Sequence, residues 1–126
     1  MGPHFLTDTN AIIDFFKKDL PQPGIDFLSS LSPKISIVTY IELFCKSNVS
    51  DIEEIQIKSF VNIATIYHVD RLIAEQVIRI RKEYKLKLPD AIIAATAIHY
   101  NLTLVTRNIK DFEKIEALNL INPHSL

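Results

Sequence analysis

The chain has 126 residues, 48% of them hydrophobic and 23% charged, the scale and make-up of one globular domain over 1–126, which excludes disorder and fibrous repeats. A formal net charge of -1 gives no overall basic field, so a nucleic-acid partner would have to be held by a local patch. The single cysteine, Cys45, excludes an intrachain disulfide, and the two glycines, Gly2 and Gly24, exclude the Gly-rich phosphate loops of Walker-type and Rossmann-type sites.

His4 to Thr7 is short and apolar enough for a buried strand. The polar triplet Asp8-Thr9-Asn10 then leads into NAIIDFFKK, residues 10 to 18, with apolar positions at helical spacing. Leu20 to Gly24 is a breaker cluster, Ile25 to Leu31 a short helix, and Ser32-Pro33 its stop. KISIV, residues 34 to 38, is β-branched and strand-like, and TYIELFCK, residues 39 to 46, predicts a helix beginning at Thr39. After a turn at Asn48 to Ser50, a helix is expected over Asp51 to Val61 and a strand over Ile63 to Val69.

From Asp70 to Lys85, Leu72, Ile73, Val77, Ile80 and Tyr84 are expected to line one helix face, while Arg71, Glu75, Arg79 and Glu83 form an i, i+4 charge ladder on a solvated face. Ala91 to Tyr100, opened by Pro89-Asp90, is apolar nearly all round and belongs inside the fold. Leu102 to Thr106 reads as a fourth strand, Asn108 to Glu116 as a short helix, and Leu118 to Asn122 as a last strand. Alternating strands and helices predict an α/β fold with a mainly parallel sheet covered on both faces. The run AIIAATAI, residues 91 to 98, is too short to span a bilayer, and Asp8 and Asp14 break the N-terminal apolar run before it takes signal-peptide form. The chain therefore reads as soluble and cytoplasmic.

Residues just past the carboxyl ends of parallel strands converge on one sheet edge, where ligands bind. Asp8 follows the first strand, Glu42 stands a turn past the second, Asp111 a turn past the fourth, and Asp90 opens the buried helix. Each acid has a second explanation. Thr39-x-x-Glu42 has capping-box spacing, Asn108-x-x-Asp111 repeats it with weaker residue types, and Asp8 can cap the helix it precedes. Asp90 after Pro89 can favour the helix dipole, although an unpaired carboxylate in a buried helix costs several kcal/mol.

Separate caps have no reason to gather at one edge, and four neighbouring carboxylates raise each other's pKa unless a cation is present. Hard oxygen donors without Cys or a His pair select Mg²⁺ or Mn²⁺. Divalent ions bridge a phosphodiester to such acids, lower the pKa of a bound water and stabilise the leaving oxygen. Thr9, Asn10, Thr106 and Asn108 are candidates to orient the carboxylates or metal waters, and are equally turn and cap residues.

The stretches FLTDTNAIIDF, ISIVTYIELF, LPDAIIAATAI and LVTRNIKDF, in this order and spread over essentially the whole chain, resemble the PIN-domain ribonucleases, most closely the VapC-type toxins of prokaryotic toxin–antitoxin pairs. The resemblance implies a three-layer α/β/α sandwich with a mainly parallel four- or five-stranded sheet, and a Mg²⁺- or Mn²⁺-dependent endonuclease acting on RNA. Asp8, Glu42 and Asp90 match the family's three most regular acids. Asp111 matches a fourth that varies in identity and place, and Thr106-Arg107-Asn108 leaves Asn108 or Asp111 as the nearer neighbour of the metal. Related toxins form homodimers and are inhibited by a VapB-type antitoxin whose tail covers the acidic crevice, so both partners are expected here.

Arg107, Lys110 and Lys46, followed by Lys85 and Lys87, are best placed by sequence to receive an RNA backbone, or else are solvated surface charges. Other classes fit less well. Haloacid-dehalogenase-like phosphatases need a second acid two residues after the first, where Asn10 stands, and receiver domains need adjacent acids after their first strand. A PIN nuclease of RNA processing without an antitoxin, or a binding-only PIN domain, remains compatible with the motifs.

Overall fold

Short apolar runs end in polar caps throughout residues 4–126, the part of the chain described by the computed structural model. The elements are β1 Phe5–Thr7, α1 Thr9–Phe16, α2 Gln22–Ser29, β2 Lys34–Ser36, α3 Ile37–Cys45, α4 Asp51–Ile63, β3 Thr65–Tyr67, α5 Arg71–Glu83, α6 Leu88–His99, β4 Thr103–Val105, α7 Ile109–Phe112 and β5 Leu120–Ile121, then a 3-10 turn at Pro123–Ser125.

All strand pairings are parallel, as helical crossovers require. They form two pieces, β1-β4-β5 and β2-β3, with Leu6 opposite Leu104, Val105 opposite Ile121 and Ile35 opposite Ile66. β2 lies against β1, which gives the spatial order β3-β2-β1-β4-β5. The chain therefore steps to one side of β1 for β2 and β3 and to the other for β4 and β5. Such a reversal is the switch point at which α/β sheets open a crevice.

Two apolar clusters hold the layers together. One joins Leu6, Leu104 and Phe112 to Ile73, Val77 and Ile80 of α5 and the alanines of α6; the other joins Ile12, Ile35, Leu43 and Ile57. α6 buries Ala91, Ile93, Ala94, Ala95, Thr96 and Ala97, the near-complete burial that its apolar circumference predicts. The Thr96 hydroxyl donates to the Ile92 carbonyl one turn back (2.7 Å), which satisfies it inside the core.

Several boundaries differ from the sequence expectation. The strand expected to reach Val38 stops at Ser36, because the Ser36 hydroxyl accepts from Val38 N (3.1 Å) and starts α3 two residues early. Thr39 is thereby a fully buried helical residue, not a cap. α4 runs on through Ile63, which shortens β3 at its start. α2 begins inside the breaker cluster, since Pro23 is tolerated in a first turn. Gly24 fits there because a Cβ would meet the Pro123 carbonyl oxygen at 2.1 Å. Leu72 is 61% exposed, because the buried stripe runs through Ile73, Val77 and Ile80 and Leu72 lies one helical step off it. α6 opens at Leu88, two residues before Asp90, and α7 is a single turn.

Candidate active site

Asp8 stands where β1 becomes α1, and it is 4% exposed. Its Oδ1 accepts from Thr9 N (2.8 Å), so the acid does cap α1. Its Oδ2 accepts from the Thr106 hydroxyl (2.8 Å), just past β4, and from Asn10 Nδ2 (3.0 Å). Thr106 also accepts from Asn108 N (3.0 Å), and Asn10 Oδ1 accepts from Arg107 N (3.2 Å). Thr106 and Asn10 are thus turn residues and carboxylate anchors at once, joining the ends of β1 and β4. Burial pushes the Asp8 carboxyl up to about 6; donation from Thr106 and Thr9 opposes this, and the charges of Asp90 and Glu42 add to it.

Glu42 reaches the same crevice from the middle of α3. The Thr9 hydroxyl donates to its Oε1 (2.6 Å) and lies 3.0 Å from the Thr39 hydroxyl. The capping box expected at Thr39-x-x-Glu42 is therefore absent: Ser36 is the cap, and the carboxylate turns to α1 instead. Asp90, in the first turn of α6, is half-buried, and its pKa is raised by desolvation, then by Asp111 and Glu42, with Lys87 opposing. Asp8, Glu42, Asp90, Thr9, Asn10 and Asn108 line one crevice of about 320 Å³, together with Lys46 and Arg107.

Asp111, exposed on α7, lines two adjoining clefts, one with Lys85, Lys87 and Asp90 and the other with Arg107, Asn108 and Lys110. Of the two residues proposed for the fourth position, Asn108 lines the main crevice, and Asp111 borders it from beyond Asp90.

Arg107 is not a free surface charge. Its Nη1 donates to both oxygens of Asp14, at 2.9 and 3.1 Å, and His124 Nε2 lies 2.8 Å from Asp14 Oδ2. Asp14 is 3% exposed. Neither Asp14 nor His124 stands out in the sequence as a site residue. The available signal was an acid on the apolar side of α1, one turn beyond Asn10.

The crevice presents oxygen donors and neither Cys nor His, which suits a hard divalent cation. Among the described residues, no three His, Cys, Asp or Glu side chains stand together as a ready-made cage. The acids instead face one another across space that can hold water.

The fold and this acid-lined switch point define an α/β domain with a crevice at one sheet edge. The PIN domain family model matches residues 5–118, and the chain belongs to the PIN domain family. Among solved structures, a chain of a toxin–antitoxin complex from Klebsiella pneumoniae is 35% identical, with 96% of this chain and 98% of that one covered and a TM-score of 0.77. Chains of the DNA-bound VapBC complex of Salmonella typhimurium and of Rickettsia felis VapBC2 bound to a promoter DNA fragment are each 25% identical, with TM-scores of 0.80 and 0.79. They cover 97% and 94% of this chain and 99% and 97% of their own. No curated protein matches the chain.

Proposed function

We propose that the chain is a Mg²⁺- or Mn²⁺-dependent endoribonuclease and the toxin of a VapBC-type toxin–antitoxin pair. The observation that carries this reading is that Asp8, Glu42 and Asp90, from three separate elements, line one crevice, where burial and the neighbouring carboxylates raise the carboxyls of Asp8 and Asp90. Asp8, Glu42 and Asp90 would hold the ion, with Asn108 and Asp111 on the fourth side. Bound there, a divalent ion activates a water and offsets the charge of the phosphodiester.

The chain's own residues prepare for that. Thr106 and Asn10 fix Asp8, and Thr9 fixes Glu42, so the carboxylates meet a substrate already oriented. Lys46, Arg107 and Lys110 border the crevice or its adjoining cleft and can neutralise backbone phosphates on either side of the cut. The toxin assignment is supported by 35% identity over almost the whole chain to a member of a toxin–antitoxin complex. A VapB-type antitoxin and a second copy of the chain are the proposed protein partners, with the cytoplasm as the place of action. Tyr40, Ile41 and Phe44, exposed on α3, offer apolar surface for such partners.

The test is cleavage of a mixed RNA pool with Mg²⁺ or Mn²⁺, with a chelator control and an Asp90→Asn control. Cutting should disappear in both. Undiminished cutting in both controls overturns the metal reading, and turnover of small phosphate esters without RNA cleavage points to a phosphatase instead.

A further inference from the structure

The crevice has a cation of its own, and a buried acid holds it. Arg107 follows β4, and its backbone N–H is fastened to Asn10 of α1. Its side chain is fastened one turn later on the same helix, where Nη1 alone serves both oxygens of Asp14. The Asp14 carboxylate is held from a second direction by His124 Nε2, in the 3-10 turn after β5. α1 directly, and the turn after β5 through Asp14, thus fix one guanidinium whose side chain is still 52% exposed.

The way Asp14 uses that guanidinium matters. By taking only Nη1, it leaves Nε and Nη2 without a protein partner among the described residues. That Nε–Nη2 edge is the fork that matches two oxygens of one phosphate. Arg107 lines both the acid crevice and the cleft beside it, which puts it where a phosphate next to the acids would lie. We propose that Asp14, seated by His124, is a positioning residue that holds Arg107 so that its Nε–Nη2 edge binds a backbone phosphate of the RNA flanking the cut.

This rests on the endoribonuclease reading, and it makes a prediction opposite in sign to simple electrostatics. Removing a negative charge near the crevice should tighten binding of a polyanion. If Asp14 instead positions Arg107, its loss weakens binding.

The experiment measures kcat and KM for Mn²⁺-dependent cleavage of a fluorescent single-stranded RNA oligonucleotide over a range of salt, for wild type, Asp14→Asn, Arg107→Lys, Arg107→Ala and the Asp14→Asn/Arg107→Ala pair. Each single variant should raise KM about tenfold, the scale of one charge-assisted hydrogen bond, and by more than it lowers kcat. The slope of log KM against log salt should flatten by about 0.7 in Arg107→Ala, as for one lost phosphate contact on a single strand. Asp14→Asn should add nothing once Arg107 is Ala. An unchanged or lower KM in folded Asp14→Asn overturns the proposal. If Asp14→Asn does not fold, Arg107→Lys decides: it keeps the charge but not the fork, so a wild-type KM overturns the proposal and a raised one supports it. A wild type that cuts no RNA overturns the nuclease reading and this proposal with it, whereas an active wild type with indifferent variants removes this proposal alone.

Discussion

Two carboxylates stand at opposite ends of α1, almost equally buried, with opposite company. Asp8, 4% exposed, receives donors that carry no charge: a backbone N–H, a threonine hydroxyl and a side-chain amide. Asp14, 3% exposed, has the Arg107 guanidinium across both its oxygens and the His124 ring against one of them. Burial of a charge is strongly unfavourable unless an opposite charge compensates it. Asp14 has its cation inside the fold. Asp8 does not, and burial, with the charges of Asp90 and Glu42 adding to it, pushes its carboxyl up to about 6. One helix thus carries a carboxylate that serves the structure of the site and another suited to a ligand.

The largest effect that would test this contrast is on catalysis. On the proposed reading Asp8→Asn and Asp90→Asn should each lower the RNA cleavage rate by about 10³-fold or more with the fold kept, since metal interactions of the kind proposed for them are worth several kcal/mol. Initial rates alongside circular dichroism check this.

The second effect is the pH dependence of stability in metal-free protein. Asp8 is raised from 3.8 to about 6, so between these values the folded state holds the proton that the unfolded state has released. Its contribution is full below pH 3.8 and is lost as pH rises through about 6, amounting at neutral pH to a destabilisation of up to about 3 kcal/mol. Asp90, raised in the same direction, adds to the trend. Urea midpoints between pH 4 and 7 should fall in wild type and fall less in Asp8→Asn. Saturating Mn²⁺ at pH 7 should restore the loss.

Matched substitutions sharpen the comparison further. Asp14→Asn should destabilise by about 2 kcal/mol, because Arg107 loses its ionic partner at a site only partly open to water. Asp8→Asn should stabilise the metal-free protein at pH 7 by about 1–2 kcal/mol, less than the full electrostatic relief because an amide must meet the donors of Asn10 and Thr106. Equal signs for the two changes would break the contrast. The smallest effect is expected for His124→Leu, a loss of about 1 kcal/mol for one hydrogen bond with Arg107 still in place.

Much of the architecture was legible because local rules agreed. Polar residues after apolar runs marked the strand ends, and the all-apolar circumference of Ala91 to Tyr100 marked the helix that must lie inside. The start of α3 was misplaced because two caps competed there. Ser36 and Thr39 are both good N-caps three residues apart, and packing decided between them by burying Thr39 against Thr9.

By itself, the sequence determined the order of elements and the parallel sheet, and pointed to the acids near the strand ends, because those follow from periodicity, capping chemistry and strand-end geometry. Tertiary structure alone decided which carboxylate meets which partner. Asp14 is separated from Arg107 by 93 positions and from His124 by 110, and no local pattern encodes a contact of that range. It arises because α1, the end of β4 and the turn after β5 pack at one edge of the sheet, where a buried carboxylate takes whatever donors the fold delivers.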